Sequence, residues 1–525
     1  MRVLLLLIAA AAVLPAQIHT IEGARIRPHV QFLSSDLLEG RGVGARGGQL
    51  AVEYLAAQFG AAGLKPGAAD GTYLQSVPLR MVEVNEGARL SVAAGGKTVE
   101  LTWLDSFVGT SHAQQPFATL DAPMVFVGHG IRAPEYQWDD YAGIDVKGKI
   151  VVLFTNEPPS TDAKFFQGPA LTYYGRWTYK YEEAARQGAV GALIIHTNAT
   201  ASYGWQVVRT SNGRPSVQVR RAAGQPALSF AGWVTTEAGE QIAALAGTTV
   251  AELLAAADKP GFRAMELGSL RARASFQFKL RDIETNNVVG MVKGGDPRLA
   301  AEAVVFTAHW DHLGVGEAVQ GDSIYNGAID NATGCAMLVE MARAWASMEP
   351  KPLRSAYFVA VTAEESGLIG SKYFADNPPI PTARIAANLN FDSYSPFGRV
   401  RDTIVTGAER TSFFSTVQSV AARHQLAIQP DASPASGSYY RSDHYSFARQ
   451  GVPAFSINMG DSYIGKSPGF ADEKRKEYGA RYHQPSDEYR ADWDFSGMEQ
   501  FARFGFALGL EIANIEKIPA RIDAN

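Results

Sequence analysis

Cysteine is almost missing from this sequence, with Cys335 alone among 525 residues. A lone cysteine cannot close an intramolecular disulfide, so no covalent staple holds the fold. Its surroundings, Cys335-Ala336-Met337-Leu338-Val339, are apolar, which makes it a small buried hydrophobe rather than a reactive thiol. An excess of charge of one sign is missing as well. Lys+Arg number 48 against Asp+Glu 53, a net charge of -5 with no basic stripe, and this excludes a dedicated nucleic-acid binder. Beyond the N-terminus no apolar run approaches the ~20 residues that span a bilayer. No internal repeat or low-complexity tract is present. With 46% hydrophobic and 19% charged residues the composition is that of an ordinary globular protein. Its 525 residues exceed one hydrophobic core, because cores stop growing near ~250–300 residues.

Met1-Arg2 precedes an unbroken apolar run over 3–14, followed by Pro15-Ala16-Gln17. A basic start, a short apolar core and a small residue at a cleavage point predict a secretory signal peptide over 1–16. The run is too short for a membrane anchor, and no cysteine stands near the cut to carry a lipid. The mature chain is therefore expected to be exported, periplasmic or extracellular, without a membrane span. Residues 26–38 read as a short amphipathic helix ending in the turn Glu39-Gly40-Arg41-Gly42, and 47–60 as a second helix. From about Ala122 short β-branched runs (124–127, 150–154, 192–195) surround a helix-like stretch, 179–188. This predicts a smaller mixed unit over 118–265, inserted between an N-terminal part, 17–117, and a main domain, 266–525. In the main domain, candidate strands 287–292, 303–307, 356–361 and 385–391 alternate with helical pieces 339–345 and 371–375. Such alternation predicts an α/β sheet with helices on both faces, and such sheets bind ligands at the carboxyl ends of their strands.

Those strand ends carry the chemistry. Residues 304–307 run into Ala308-His309-Trp310-Asp311-His312, and the next cluster is Gly327-Ala328-Ile329-Asp330-Asn331. Later strands end in Ala363-Glu364-Glu365-Ser366-Gly367 and in Asp392, and Tyr482-His483-Gln484-Pro485-Ser486-Asp487 follows near the C-terminus. Zinc takes imidazole nitrogen and carboxylate oxygen, and two ions sharing a bridging carboxylate need about five protein ligands. His309, Asp330, Glu365, Asp392 and His483 supply two imidazoles and three carboxylates. Glu364 is then spare. Adjacent residues at a strand end point to different sides, so Glu364 can face an activated water as general base while Glu365 binds metal. Asp311 is placed to accept the other ring proton of His309. Each feature alone has a plainer reading: a Glu-Glu pair is commonly solvated surface, and Asp330 could simply cap the following helix. The combination, in this order and at strand ends, carries the inference.

The motifs His309-Trp310-Asp311-His312, Gly327-Ala328-Ile329-Asp330-Asn331-Ala332-Thr333-Gly334, Ala363-Glu364-Glu365-Ser366-Gly367-Leu368, Asn390-Phe391-Asp392 and Tyr482-His483 resemble the co-catalytic zinc exopeptidases. That group includes bacterial leucyl aminopeptidases, glutamate carboxypeptidase and the transferrin receptor. The resemblance implies a three-layer α/β/α sandwich with a mixed sheet and two zinc ions per chain. It implies that Asp330 bridges the ions, with His309 and Asp392 completing one position and Glu365 and His483 the other. Glu364 would be the general base, Tyr482 would polarise the scissile carbonyl, and Arg441, Asp443 and His444 would line the substrate pocket. It also implies a cis Asp330–Asn331 peptide bond. Asn331 stands where an aspartate is common, and Trp310 where tyrosine is more usual. The segments Gly143-Ile144-Asp145-Val146-Lys147-Gly148-Lys149-Ile150-Val151-Val152 and Ala184-Ala185-Arg186-Gln187-Gly188-Ala189-Val190-Gly191-Ala192 are similar to a β-rich protease-associated domain. The activity implied is removal of N-terminal residues from peptides. The alternatives are a carboxypeptidase of the glutamate-carboxypeptidase type and a catalytically silent binding protein. A single-zinc glutaminyl cyclase fits the full ligand set less well.

Overall fold

The computed structural model describes residues 14–85 and 87–522. The apolar core of the expected signal peptide, up to residue 13, lies outside the described residues. The chain divides into two compact units, one of Met1–Val77, Glu284–Ala432 and Arg441–Asn525, the other of Pro78–Ile283 and Ser433–Tyr440.

The larger unit is built on a mixed sheet. Its central strands Ala303–His309, Ser355–Val361 and Ile385–Asn390 are buried at every position. Continuous burial is the mark of a sheet covered on both faces, and the apolar, β-branched content of these runs suits it. Ala303–His309 pairs in parallel with both Ser355–Val361 and Ile385–Asn390, and Ile385–Asn390 pairs in parallel with Ala454–Met459. The C-terminal part of Met265–Val292 runs antiparallel to Ser355–Val361, and Asp402–Thr406 runs antiparallel to Ala454–Met459. The connection through the helix Thr333–Ala346 moves outward along the sheet, and that through Ile369–Asp376 moves back across the centre. Right-handed crossovers in opposite directions put these two helices on opposite faces. The result is a three-layer α/β/α sandwich. The outer strands Asp402–Thr406, Ala427–Ile428 and Ala454–Met459, and the long helix Ser496–Asn514, extend it beyond the elements expected from sequence.

The core of this unit is aromatic. Phe306 stacks on Phe358 at 4.7 Å between ring centroids and meets the edge of Trp345 at 5.3 Å. Trp345 in turn contacts Phe506 of Ser496–Asn514 at 5.2 Å. That helix comes close because Gly509 carries no side chain: a Cβ there would sit 2.3 Å from Phe306 Cζ. Cys335 is fully buried, as the sequence implied.

In the smaller unit the strands Phe117–Phe126, Ile150–Leu153, Gly191–Ile195 and Phe230–Val234 lie side by side in parallel. Phe107–Thr110 closes one side antiparallel to Phe230–Val234. On the other side the N-terminal part of Met265–Val292 pairs antiparallel with Phe117–Phe126 and with Arg89–Ala94, which forms a hairpin with Lys97–Thr102. These pairings explain why the unit begins at Pro78 and ends at Ile283, wider than the expected 118–265. The hairpin and the 265–277 stretch alternate buried and exposed residues, and they complete a sheet started by strands further along the chain. Phe230 stacks on Phe276 at 4.3 Å in its core. Among the described residues no helix is long and apolar enough to cross a membrane.

Phe306→Ala removes the ring on which Phe358, Trp345 and Gly509 converge. Truncating such a buried aromatic costs about 3–5 kcal/mol, so denaturant unfolding followed by intrinsic fluorescence should show the larger unit destabilised by that order. A loss under about 1 kcal/mol would mean that the site collapses around the gap.

Candidate metal centre

Three strand ends and two loops bring the predicted ligands together. His309 closes the central strand Ala303–His309. Asp330 lies in the irregular turn Ala328–Ala332 that opens the helix Thr333–Ala346. Glu364 and Glu365 follow Ser355–Val361, and Asp392 follows Ile385–Asn390. The peptide bond Asp330–Asn331 is cis, as the resemblance implies. Ala363 beside Glu364, Ser393 beside Asp392, and His483 itself adopt left-handed backbone with φ of 53°, 59° and 57°. Such strained non-glycine positions gather where surrounding structure fixes a functional geometry.

The central observation concerns Asp330. Its Oδ1 lies 3.2 Å from His309 Nε2 and its Oδ2 3.5 Å from His483 Nε2. Each imidazole nitrogen faces one further carboxylate: His309 Nε2 is 3.3 Å from Asp392 Oδ1, and His483 Nε2 is 3.0 Å from Glu365 Oε2. One carboxylate thus stands between two His–carboxylate pairs. Among the described residues, the groups whose nitrogen and oxygen atoms converge closely enough to hold a cation are His309 with Asp330 and Asp392, His309 with Glu364 and Glu365, and His312 with Asp330 and Glu365.

His312 was not anticipated. Its Nδ1 lies 2.6 Å from Glu365 Oε1, and its ring meets His483 edge-on at 5.6 Å. Glu365 Oε1 and His312 Nδ1 are both buried and, despite this approach, neither meets a partner in hydrogen-bond geometry. The donor set therefore fits divalent ions of the zinc type, bound by imidazole nitrogen and carboxylate oxygen. The second histidine of His309-Trp310-Asp311-His312 was the available signal.

One expectation needs correction. Asp311 was expected to take the Nδ1 proton of His309 on its carboxylate. His309 Nδ1 lies 3.2 Å from the backbone carbonyl of Asp311 and 3.9 Å from its Oδ1. Asp311 Oδ1 instead accepts the backbone N–H of Glu364 at 3.1 Å, tying the Glu364 loop to the His309 loop. The carboxylate points across to the neighbouring strand end because the parallel pairing of Ala303–His309 with Ser355–Val361 sets those loops side by side. Ser442, between the pocket candidates Arg441 and Asp443, was not anticipated. Its Oγ donates to Asp392 Oδ2 at 2.5 Å and accepts from Asn390 Nδ2 at 2.7 Å, and Asn390 Oδ1 accepts from Thr307 Oγ1 at 2.7 Å. This buried chain fixes the orientation of Asp392.

The remaining candidates divide. Tyr482 stacks on the His483 ring at 3.9 Å, and burial, then the charges of Asp330 and Glu365, push its hydroxyl well above the usual range against the pull of Arg441. Asp443 is fully buried and pushed up to about 7 by burial, opposed by His309. His444 is buried at the start of the helix His444–Arg449 and belongs to none of the cation-holding groups.

The electrostatics follow from crowding buried acids around two imidazoles. Burial, Glu365, Asp443 and Asp392 lift Glu364 well above the carboxylate range, with His309 opposing. Burial lifts Glu365 too, yet His483 and His312 outweigh it and hold that carboxyl well below its usual value. Asp330 is likewise lifted by burial and Glu365 but lowered overall by His309 and His483. Burial would depress the two histidines. Asp392 and Glu364 instead raise His309 well above 6.5, and Glu365 leads in raising His483 to about 9.

A three-layer α/β/α sandwich that gathers imidazoles and carboxylates at the carboxyl end of its sheet is the arrangement of the co-catalytic zinc exopeptidases. Residues 287–504 match the model of Peptidase family M28. It is 29% identical over 181 residues to leupeptin-inactivating enzyme 1 of Streptomyces exfoliatus, a match covering 34% of this chain and 36% of that protein. It is 25% identical over 206 residues to aminopeptidase YwaD of Bacillus subtilis (strain 168), covering 39% of each. The matched stretches thus span well under half the length of these curated relatives. In fold, it resembles an aminopeptidase from Aneurinibacillus sp. strain AM-1, with a TM-score of 0.55 at 19% identity over 95% of this chain and 96% of that one.

A cation entering this site displaces the protons that the raised histidines hold. Apparent affinity for a divalent cation should therefore climb as pH rises towards about 9, the value for His483, with protons released on binding. Chelator competition at several pH values in weakly buffered solution tests this. An affinity independent of pH would contradict the paired imidazole–carboxylate arrangement.

Proposed function

We propose that this protein is an exported di-zinc aminopeptidase that removes N-terminal residues from peptides. The observation that carries the reading is Asp330, whose two oxygens address two different histidines, each already paired with its own carboxylate. The donor chemistry fits two zinc ions: Asp330 would be shared, His309 and Asp392 would hold one ion, and Glu365 and His483 the other. When bound, zinc supplies Lewis acidity and positive charge, which activate water and polarise a carbonyl at neutral pH.

The chain's own residues do the rest. Glu364, its backbone N–H held by Asp311, presents a carboxylate beside the ligand group at the open end of the sheet. It can take a proton from the attacking water and deliver it to the leaving amine. Tyr482, stacked on His483 and electrically close to Asp330 and Glu365, keeps its proton and can donate a hydrogen bond to a developing oxyanion. Arg441 and Asp443 flank Ser442, the residue that orients Asp392, and this supports a substrate-facing role for that segment. The similarity of 143–152 and 184–192 to protease-associated domains supports reading the smaller unit as one. The N-terminal apolar run supports export. The names of the relatives, an aminopeptidase and a leupeptin-inactivating enzyme, agree with a peptide substrate.

Zinc-loaded protein should remove single N-terminal residues from unblocked and C-amidated peptides while sparing N-acetylated ones, as read by mass spectrometry of a mixed library. Glu364→Gln should lower kcat by about 10²–10⁴-fold without changing the number of ions bound. Cleavage from the C-terminus, or full activity in Glu364→Gln, would overturn the assignment.

A further inference from the structure

Apart from His309 at the end of its strand, the ligands sit on loops and turns, and a loop fixes a ligand only if its own backbone is fixed. Two side chains outside the ligand set do this for Asp330. Arg41 is 1% exposed, deep beneath the site. Its guanidinium donates to main-chain carbonyls from three separate segments: Nε to Trp310 O at 2.7 Å, Nη1 to Leu33 O at 2.5 Å and Asn326 O at 2.6 Å, and Nη2 to Gly327 O at 2.9 Å. Trp310 follows the ligand His309, and Asn326 and Gly327 lead into Asp330. The turn delivering Arg41 is itself forced, with φ of 47° at Glu39 and 51° at Arg41. Gly40 between them packs so tightly that a Cβ would lie 2.4 Å from Tyr325 O.

Asp487, also 1% exposed, acts on the other polarity of the same loop. Its carboxylate accepts the N–H of Ile329 at 3.1 Å and the N–H of Asp330 at 3.1 Å, and its carbonyl accepts the N–H of Ala328 at 2.9 Å. The loop therefore has its carbonyls at 326 and 327 gathered by a guanidinium, its amides at 329 and 330 by a carboxylate, and its amide at 328 by that residue's main-chain carbonyl. Arg41 also reaches the His309 loop, and Asp487 lies four residues beyond His483. The two side chains thus connect Asp330 to each histidine that faces it.

We propose that Arg41 and Asp487 are positioning residues that set the span between the two cation positions by clamping the Asp330 loop from opposite polarities. This rests on the two-cation reading above. A fork of five coplanar donors can serve four carbonyls from three segments at once, whereas a lysine's point charge cannot. The role therefore belongs to arginine in particular, and charge alone does not satisfy it. Removing partners that orient metal ligands typically weakens metal binding or activity by about 10–100-fold.

The test uses the full chain with Co²⁺ as the probe, titrating wild type, Arg41→Lys and Asp487→Asn while recording visible absorption and unfolding temperature. Wild type should take up two ions. Both variants should remain folded, bind one ion about 10–100-fold more weakly, and give an altered spectrum, with kcat reduced and KM little changed. If wild type binds two ions and both folded variants give its titration curve and spectrum, the clamp is overturned while the two-cation reading stands. If neither variant folds, the residues serve the fold alone and the proposal fails. Fewer than two ions in wild type would instead overturn the underlying reading.

Discussion

Four acidic side chains, Asp330, Glu364, Glu365 and Asp392, are held against the imidazoles of His309, His312 and His483 at the end of strands buried along their whole length. In water such charges would separate. Out of water their mutual repulsion and lost solvation are severe, and only compensating positive charge makes the grouping tolerable. Protonated histidines offer one solution, visible in the upward displacement of His309 and His483. Divalent ions offer a stronger one. The same donors can serve either.

The sheet supplies what that grouping needs. Three neighbouring parallel strands end together, which puts His309, the Glu364–Glu365 pair and Asp392 on adjacent loops without long excursions. The hydrogen bond from Glu364 to Asp311 and the chain Thr307–Asn390–Ser442–Asp392 convert that adjacency into fixed side-chain directions. The aromatic stack of Phe306, Phe358 and Trp345 below the strand ends keeps the strands at constant spacing.

What was legible in the sequence was whatever is local to one stretch of chain. His309, Asp330, Glu365, Asp392 and His483 each announce themselves beside a recognisable strand or turn, and the structure brings their side chains together. The strands Ala303–His309 and Ser355–Val361 were legible because burial on both faces demands unbroken apolar runs. Relations between distant stretches were not legible. Nothing in Ser442 announces that its hydroxyl orients a carboxylate fifty residues earlier, and nothing near Asp311 shows that the neighbouring strand end offers a better donor than His309. The outer strands Asp402–Thr406 and Ala427–Ile428 are short and lack a pattern of their own. The limits of the smaller unit were missed because its hairpin at 89–102 carries the alternating pattern of a surface ribbon until its partner strand arrives more than 160 residues later.

The eight residues Ser433–Tyr440 carry a consequence for how this chain could have been assembled. They lie in sequence within the larger unit yet belong to the compact body of the smaller one, where the N–H of Leu171 bonds to the carbonyl of Pro434 and Tyr173 meets the Tyr440 ring at 6.4 Å. A gene rearrangement that excised 78–283 would leave this stretch behind, stripped of its packing and joined directly to Arg441. The smaller unit thus has a second root in the sequence, apart from its main span. Its gain or loss in a lineage would require a matching change more than a hundred residues downstream, beside the segment that orients Asp392.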